Sequence, residues 1–563
     1  MRKMKRLPQE DGMPMQAEGW SPAHEERLDE TTFQEMPLDL GPQRTSCESR
    51  GASLCNNKEI QLMKTNMGIH HNNGEDMNGV TDPFSQDTAG LALAIAPQTV
   101  VLEPDDVFEL RAEQVRKRIG DATVKMLAYN GSIPGPTLKV AQGSEVTVHF
   151  TNDTDLETTV HWHGLRLENR FDGVPQGAHH GMMAPVPIGG SFTYRLRFPD
   201  AGMYWYHPHL REDYTQELGL YGTIIVVPTD ATYWSPVNRE VTLTLDDILL
   251  EGGKIAPFSR TQSDHTAMGR FGNVMLVNGE TSAQLSATQS EVVRLYLVNT
   301  ANVRFFNVRL PGARMKLVGG DNGRIEHEEF IEEVLLSPSE RVILDVLFEH
   351  AGQFSLEHRT PERTYIMAAV SVQEQPGEHS FSQEFSTLRH NPELEAERVK
   401  IAVDFDRPPD KTLALIAEMP GMGHHGGGHR VEAIEWEDTM EMINRMSTLQ
   451  NMFWKLVDRS TGAINQDIHW SFTVGDQVKI RIVNELGSDH PMQHPIHFHG
   501  QRFLVLSRDG IGNEDLVWKD TVLVPMGQTV DILIDMSNPG AWMVHCHIAE
   551  HLEGGMMFTY HVQ

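Results

Sequence analysis

Near its C-terminus the chain reads HCHIAEHLEGGM (residues 545–556), a cysteine held between two histidines with another histidine and a methionine close behind. Three further His-x-His pairs stand elsewhere: His161/His163, His207/His209 and His497/His499, beside His545/His547 itself. Residues i and i+2 of a strand point to one face, so each pair presents two imidazoles side by side. Eight converging neutral imidazoles make chemical sense around several metal ions, and imidazole suits Cu, Zn, Fe and Ni alike. The remaining donors narrow the choice. His494, Cys546 and His551 make a His2Cys set, and Met556 follows in position for a weak axial ligand, the composition of a blue copper electron-transfer site. On a strand Cys546 faces one way and His545 and His547 the other, so one short peptide joins a sulfur-bound metal to two imidazole-bound ones. A closed zinc site takes about four ligands from a compact motif, which fits so many candidates with a single thiolate poorly.

The elements that must position these residues recur along the chain. GSEVTVHFTN (143–152), SEVVRLYLVN (290–299) and GDQVKIRIVN (475–484) share one apolar alternation ending in Asn, the pattern of a half-buried strand running into a turn. A second unit follows each in the same order: AGMYWYHPH (201–209), AGQFSLEHR (351–359) and PGAWMVHCH (539–547). The chain therefore reads as three copies of one β-sandwich at 98–228, 229–375 and 395–563, with a linker at 376–394. The copies differ in their ligands. The first and third carry HWHG (161–164) and HPIHFHG (494–500) after the shared Asn, whereas the second has Glu357 and Arg359 at the His-x-His positions. The middle domain is expected to keep the scaffold without metal.

Length and charge bound what remains. At 563 residues the chain exceeds one core, and 39% hydrophobic residues with 47 Gly and 30 Pro favour strands and turns. A formal charge of −31 argues against a nucleic-acid partner and for an acidic surface that attracts cations. The apolar run AGLALAIA (89–96) is far short of the ~18 residues of a membrane span. Residues 1–97 lack periodicity and read as a flexible N-terminal extension. Cys47 and Cys55 fall there and form at most one bridge, which leaves Cys546 as the only cysteine of the globular part. No apolar stretch follows the basic start MRKMKRLPQEDG, so no secretory signal is read and the sequence as it stands is assigned to the cytoplasm, with the compartment left open.

At these residues the sequence resembles the three-domain multicopper oxidases, laccases and cuprous oxidases built from cupredoxin-like Greek-key β-sandwiches, over roughly 98–563. The resemblance implies an all-β fold and four copper ions per chain. It implies that His494, Cys546, His551 and Met556 hold the type 1 copper, and His161 and His497 the type 2. His163, His207 and His547 would hold one type 3 copper, and His209, His499 and His545 the other. A donor would be oxidised one electron at a time at the type 1 site while O2 is reduced to water at the other three coppers. Asp172, in RFDGVPQG, matches an acid that the family uses in proton delivery. Many bacterial relatives place Glu directly after the last type 1 histidine. Here Leu552 stands there, and Glu553, one residue on, is the second candidate.

The donor is the open choice. Laccase-like oxidation of phenols and aromatic amines is the leading expectation, since the family's ligand set acts broadly on such compounds. The alternative is Cu(I) oxidation in copper tolerance. EMPGMGHHGGGH (418–429) and the stretch to 454 form an insertion whose Met419, Met422, His424, His425 and His429 suit Cu(I), with Met442 and Met446 four apart on an expected helix and Met492 two residues before His494. A non-enzymatic copper-storage or electron-transfer protein would need only the sulfur site, and the eight further histidines argue against it.

Overall fold

The computed structural model describes residues 84–176, 181–374, 379–420 and 433–563. Two sheets form each repeat. In every repeat the strand carrying the shared Asn (Glu145–Asp153, Val292–Asn299 or Gln477–Asn484) pairs in parallel with an earlier strand of the same domain, Val107–Ile119, Arg239–Ile248 or Lys411–Glu418 respectively. It pairs antiparallel with Ser191–Arg197, Arg341–Leu347 or Thr529–Asp535 respectively. The second unit (Gly202–His207, Gly352–Arg359 or Gly540–Cys546) lies at or next to the centre of the other, five-stranded sheet. The same topology thus occurs three times, as three cupredoxin-like β-sandwiches.

The shared Asn has one job in all three. Its side-chain amide donates to one carbonyl of the following loop and one of a more distant segment: Leu156 and Val186 for Asn152, Arg304 and Leu336 for Asn299, Met492 and Val524 for Asn484. Buried carbonyls need such partners. In the first and third domains the loop so fixed leads directly into the His-x-His strand.

The glycine of the second unit is also set by geometry. Gly202 has φ +155° and Gly540 φ +149°, and a side chain at either would press on Gly323 or Asn169 across a domain boundary.

Two boundaries differ from the sequence reading. Residues 84–97, expected to be part of a flexible extension, are structured: Ala92–Leu93 adds an edge strand beside Val115 and Arg116, and the Phe84 ring packs 4.5 Å from Tyr214. The linker expected at 376–394 includes the helix Ser382–Phe385 and runs into Pro392–Lys400, whose Asn391 cap accepts the Glu393 N–H. Leu394 and Ile401 pack on Leu504, Leu516 and Leu533, so this segment belongs to the third domain's surface. Cys47 and Cys55 lie outside the described residues. No helix among the described residues is long and apolar enough to cross a membrane.

Candidate metal centre

Strand register gathers the ligands. His161–His163 pairs antiparallel with Gly202–His207, setting His161 opposite His207. In the third domain His494–Phe498 pairs with Gly540–Cys546, setting His497 opposite His545 and Ile496 opposite Cys546. Alternation then sorts the faces. Cys546 turns into the apolar core with Ile496, Met492 and Met556, while His545 and His547 meet the rings of the first domain.

Eight imidazoles from two domains thereby close on one buried space. Donor atoms of His163, His207 and His547 lie within 4.8 Å of one another, as do those of His209, His499 and His545, and those of His161, His163 and His497. The first two triplets are those that the resemblance to multicopper oxidases implies.

Hydrogen bonds decide which ring nitrogen faces inward. His161 Nδ1 donates to Asp172 O at 2.7 Å, and His497 Nδ1 to Asp520 O at 2.9 Å. His499 Nδ1 donates to Asp172 Oδ2 at 2.9 Å, and His545 Nδ1 to Cys546 O at 2.9 Å. His163 uses its other nitrogen, Nε2 donating to Asp520 Oδ1 at 3.0 Å. The nitrogens left over carry lone pairs. His499 Nε2 faces His209 Nε2 at 3.3 Å and His545 Nε2 at 3.1 Å, a crowd of acceptors that only a cation satisfies. Nε2 of His161, His207, His497 and His547 and Nδ1 of His163 are buried without a hydrogen-bond partner among the described residues. This donor set fits transition metal ions.

The sulfur site fits equally. Cys546 Sγ lies 3.4 Å from His494 Nδ1 and 3.7 Å from His551 Nδ1. A first-row metal about 2.0 Å from nitrogen and 2.3 Å from sulfur holds such donors about 3.5 Å apart. Met556 is buried beside them, accepting the Cys546 N–H at 3.1 Å and donating to His551 O at 3.0 Å.

Electrostatics point the same way. Burial lowers His494 and His547 to about 3 and His499 to about 4, and depresses His163, His207, His497, His545 and His551 well below the usual range, so the rings stay neutral ligands. Burial also pushes the Cys546 thiol far up, and a bound cation is what would make it a thiolate. Burial raises the Asp172 carboxyl too, but His499 and His161 more than offset this and hold it below the usual carboxylate range.

Three residues at this site escaped the sequence reading. Glu212, three residues after His209, is fully buried with Oε1 3.1 Å from His209 Nδ1. Asp520 holds His163, and Arg341 of the middle domain holds Asp520 (Nη1 to Oδ1, 2.7 Å) while its Nε donates to Met203 O of the first. Leu552, where an acid was sought, is buried with Val174, Met543 and Met557. Glu553 instead accepts the Glu212 N–H at 3.3 Å, and burial with the nearby Asp213 pushes it up to about 7.

A cavity of about 1270 Å³ opens beside the sulfur site. His490 and Pro491 line it, together with Phe271, Tyr365, Trp436, Glu437 and Asp438 and with Met275, Met419, Met440 and Met526. Behind His490, at 6.0 Å, the Trp454 ring lies 4.9 Å from His494 and stacks on His551 at 4.0 Å. Of the other residues expected to collect Cu(I), Met442 and Met446 are exposed on the helix Glu441–Met446, away from the cavity lining, and Met492 is sealed in the core. Met422, His424, His425 and His429 lie outside the described residues.

Comparison with known proteins gives concordant results. Family models described as multicopper oxidase match residues 111–231 and 438–563. The chain is 27% identical over 444 residues to the "Multicopper oxidase mco" of Staphylococcus epidermidis, covering 77% of this chain and 82% of that one. It is 23% identical over 496 residues to "Laccase-1" of Melanocarpus albomyces, covering 77% and 74%. A solved multicopper oxidase from Pseudomonas thermotolerans superposes with a TM-score of 0.60 at 26% identity, over 83% of this chain and all of that one.

Proposed function

The chain belongs to the multicopper oxidase family and is a copper-dependent oxidoreductase, and from that premise we propose that it acts as a laccase, oxidising small phenols or aromatic amines with O2. Four coppers suit its donors, one at His494, Cys546, His551 and Met556 and three among the eight imidazoles. Once bound, they would supply one-electron oxidation at the sulfur site and four-electron reduction of O2 to water at the other three.

The chain's own residues do the rest. The observation that carries the reading is the cavity: it is far larger than a metal ion needs, has Phe271, Tyr365 and Trp436 to pack a ring, and ends at His490, beside Trp454 and the sulfur site. Glu437 and Asp438 can accept the phenolic proton that must leave with the electron. At the imidazole cluster, Asp172 and Asp520 fix ring tautomers, and Asp172 and Glu212 are two carboxylates close to ligand rings from which protons could be passed on.

One observation favours Cu(I) as a second donor. Met275, Met419, Met440 and Met526 line the same cavity with His490, a soft set suited to that ion. Oxygen uptake by fully copper-loaded protein, with a phenol and with Cu(I) in parallel, separates the readings. Efficient phenol turnover that falls in Trp436→Ala supports the laccase. Cu(I) turnover that falls in Met419→Leu/Met440→Leu, with phenol turnover poor throughout, would replace it. Deleting 421–432 tests the Met/His loop without touching Asn444, Met452 and Trp454, which are buried.

A further inference from the structure

Away from the twelve candidate ligands, other metal-binding side chains meet where the middle domain, the linker and the third domain join. His327, in the strand Gly323–Ile331, and His390, just before the helix Pro392–Lys400, form an isolated antiparallel bridge. Directly paired residues send their side chains to one face. The two rings accordingly lie 4.9 Å apart at 89°. Glu395, in the first turn of that helix, brings Oε1 to 3.1 Å from His390 Nδ1 and 3.7 Å from His327 Nε2.

Asp515, from a loop of the third domain, accepts the His327 Nδ1–H at 2.6 Å. That bond fixes the tautomer. With the proton on Nδ1, the lone pair of His327 sits on Nε2 and faces Glu395. A carboxylate behind a histidine is the arrangement that orients imidazole toward metal. An ion about 2.0 to 2.1 Å from each donor keeps neighbouring donors about 3.3 Å apart, and the observed 3.1 Å, a hydrogen bond whose His390 Nδ1 proton the ion would displace, and 3.7 Å bracket that value. Side-chain exposures of 37% for His327 and 64% for His390 let an ion enter without unfolding.

We propose that His327, His390 and Glu395 bind one divalent transition ion, with Asp515 as the positioning residue and water completing the shell. Two imidazoles and a carboxylate without sulfur select Zn(II) or Cu(II) over Cu(I), so this site differs in kind from the cavity. The bound ion would tie the linker to both the domains it joins.

The test is Zn(II) titration by calorimetry of the full, copper-loaded chain, comparing wild type with His327→Ala/His390→Ala. Wild type is expected to bind one Zn(II) more than the double variant, with oxygen uptake unchanged. Histidines elsewhere are common to both proteins and cancel. Equal stoichiometry and affinity would overturn the proposal. Asp515→Asn, which leaves the three ligands in place, is expected to weaken that one Zn(II) by about 10- to 100-fold, and unaltered affinity there would remove Asp515 from the site.

Discussion

Met556 is the one expected ligand whose chemistry is weak by design, and that makes it the clearest test of the sulfur site. Its side chain is buried in the core that holds Cys546, and its backbone bonds to both Cys546 and His551. Removing an axial thioether destabilises the oxidised metal, so Met556→Leu is expected to raise the type 1 potential in a redox titration; a lowered or unchanged potential would mean that the methionine is not axial. Asp520 acts one bond further out. Asp520→Asn turns an acceptor of the His163 N–H into an amide that can present a donor there, and is expected to cost about 10- to 100-fold in metal affinity or activity. The change should appear as type 3 copper loss in metal analysis even where the fold survives. The candidate ligands that the structure brings together were legible in the sequence because His-x-His and Cys-x4-His are local spacings that strand and turn geometry translate directly. Asp520 was not, because it reaches His163 across 357 positions and carries no metal motif of its own.

At the scale of elements, the Asn that ends each repeated strand is where a sequence pattern and its physical cause coincide. The pattern was visible as a triple recurrence; its reason, one amide tying the following loop to a distant segment through two carbonyls, needed the fold. Asn484 is the sharpest case, since its carbonyl partners Met492 and Val524 flank the strand that carries His494, His497 and His499. Asn484→Ala strands both carbonyls, at about 1 to 3 kcal/mol each. Chemical denaturation should therefore show a loss of about 2 to 6 kcal/mol, and copper retention should fall with it because the segment before His494 loses its anchor. The linker was read less well. Its Pro and Glu content suggested a spacer, but Asn391 caps a helix there, with Leu394 and Ile401 finding apolar partners more than a hundred residues away.

For the whole molecule, the centre is a joint between domains as well as a reaction site. Four of its eight imidazoles come from the first domain and four from the third, and the middle domain, which lends this centre no imidazole, contributes Arg341, bonded to Asp520 on one side and Met203 on the other. The sequence has Glu357 and Arg359 where the other repeats carry His-x-His; that the middle repeat would brace the imidazoles could not be read from a lone arginine 138 positions from one partner and 179 from the other. A joint lined by buried neutral imidazoles has a definite pH signature. His494 and His547 lie near 3 and His499 near 4 in the folded chain, against about 6.5 when unfolded. Between those limits the unfolded state binds more protons, so stability of the metal-free chain rises with pH across roughly 3 to 6.5 and is lost as pH falls through that window. Copper holds the same nitrogens against protonation, so the loaded chain should withstand lower pH. Acid unfolding followed by circular dichroism is expected to place the metal-free midpoint above the loaded one. Coincident midpoints would mean that the imidazole cluster does not carry the acid lability.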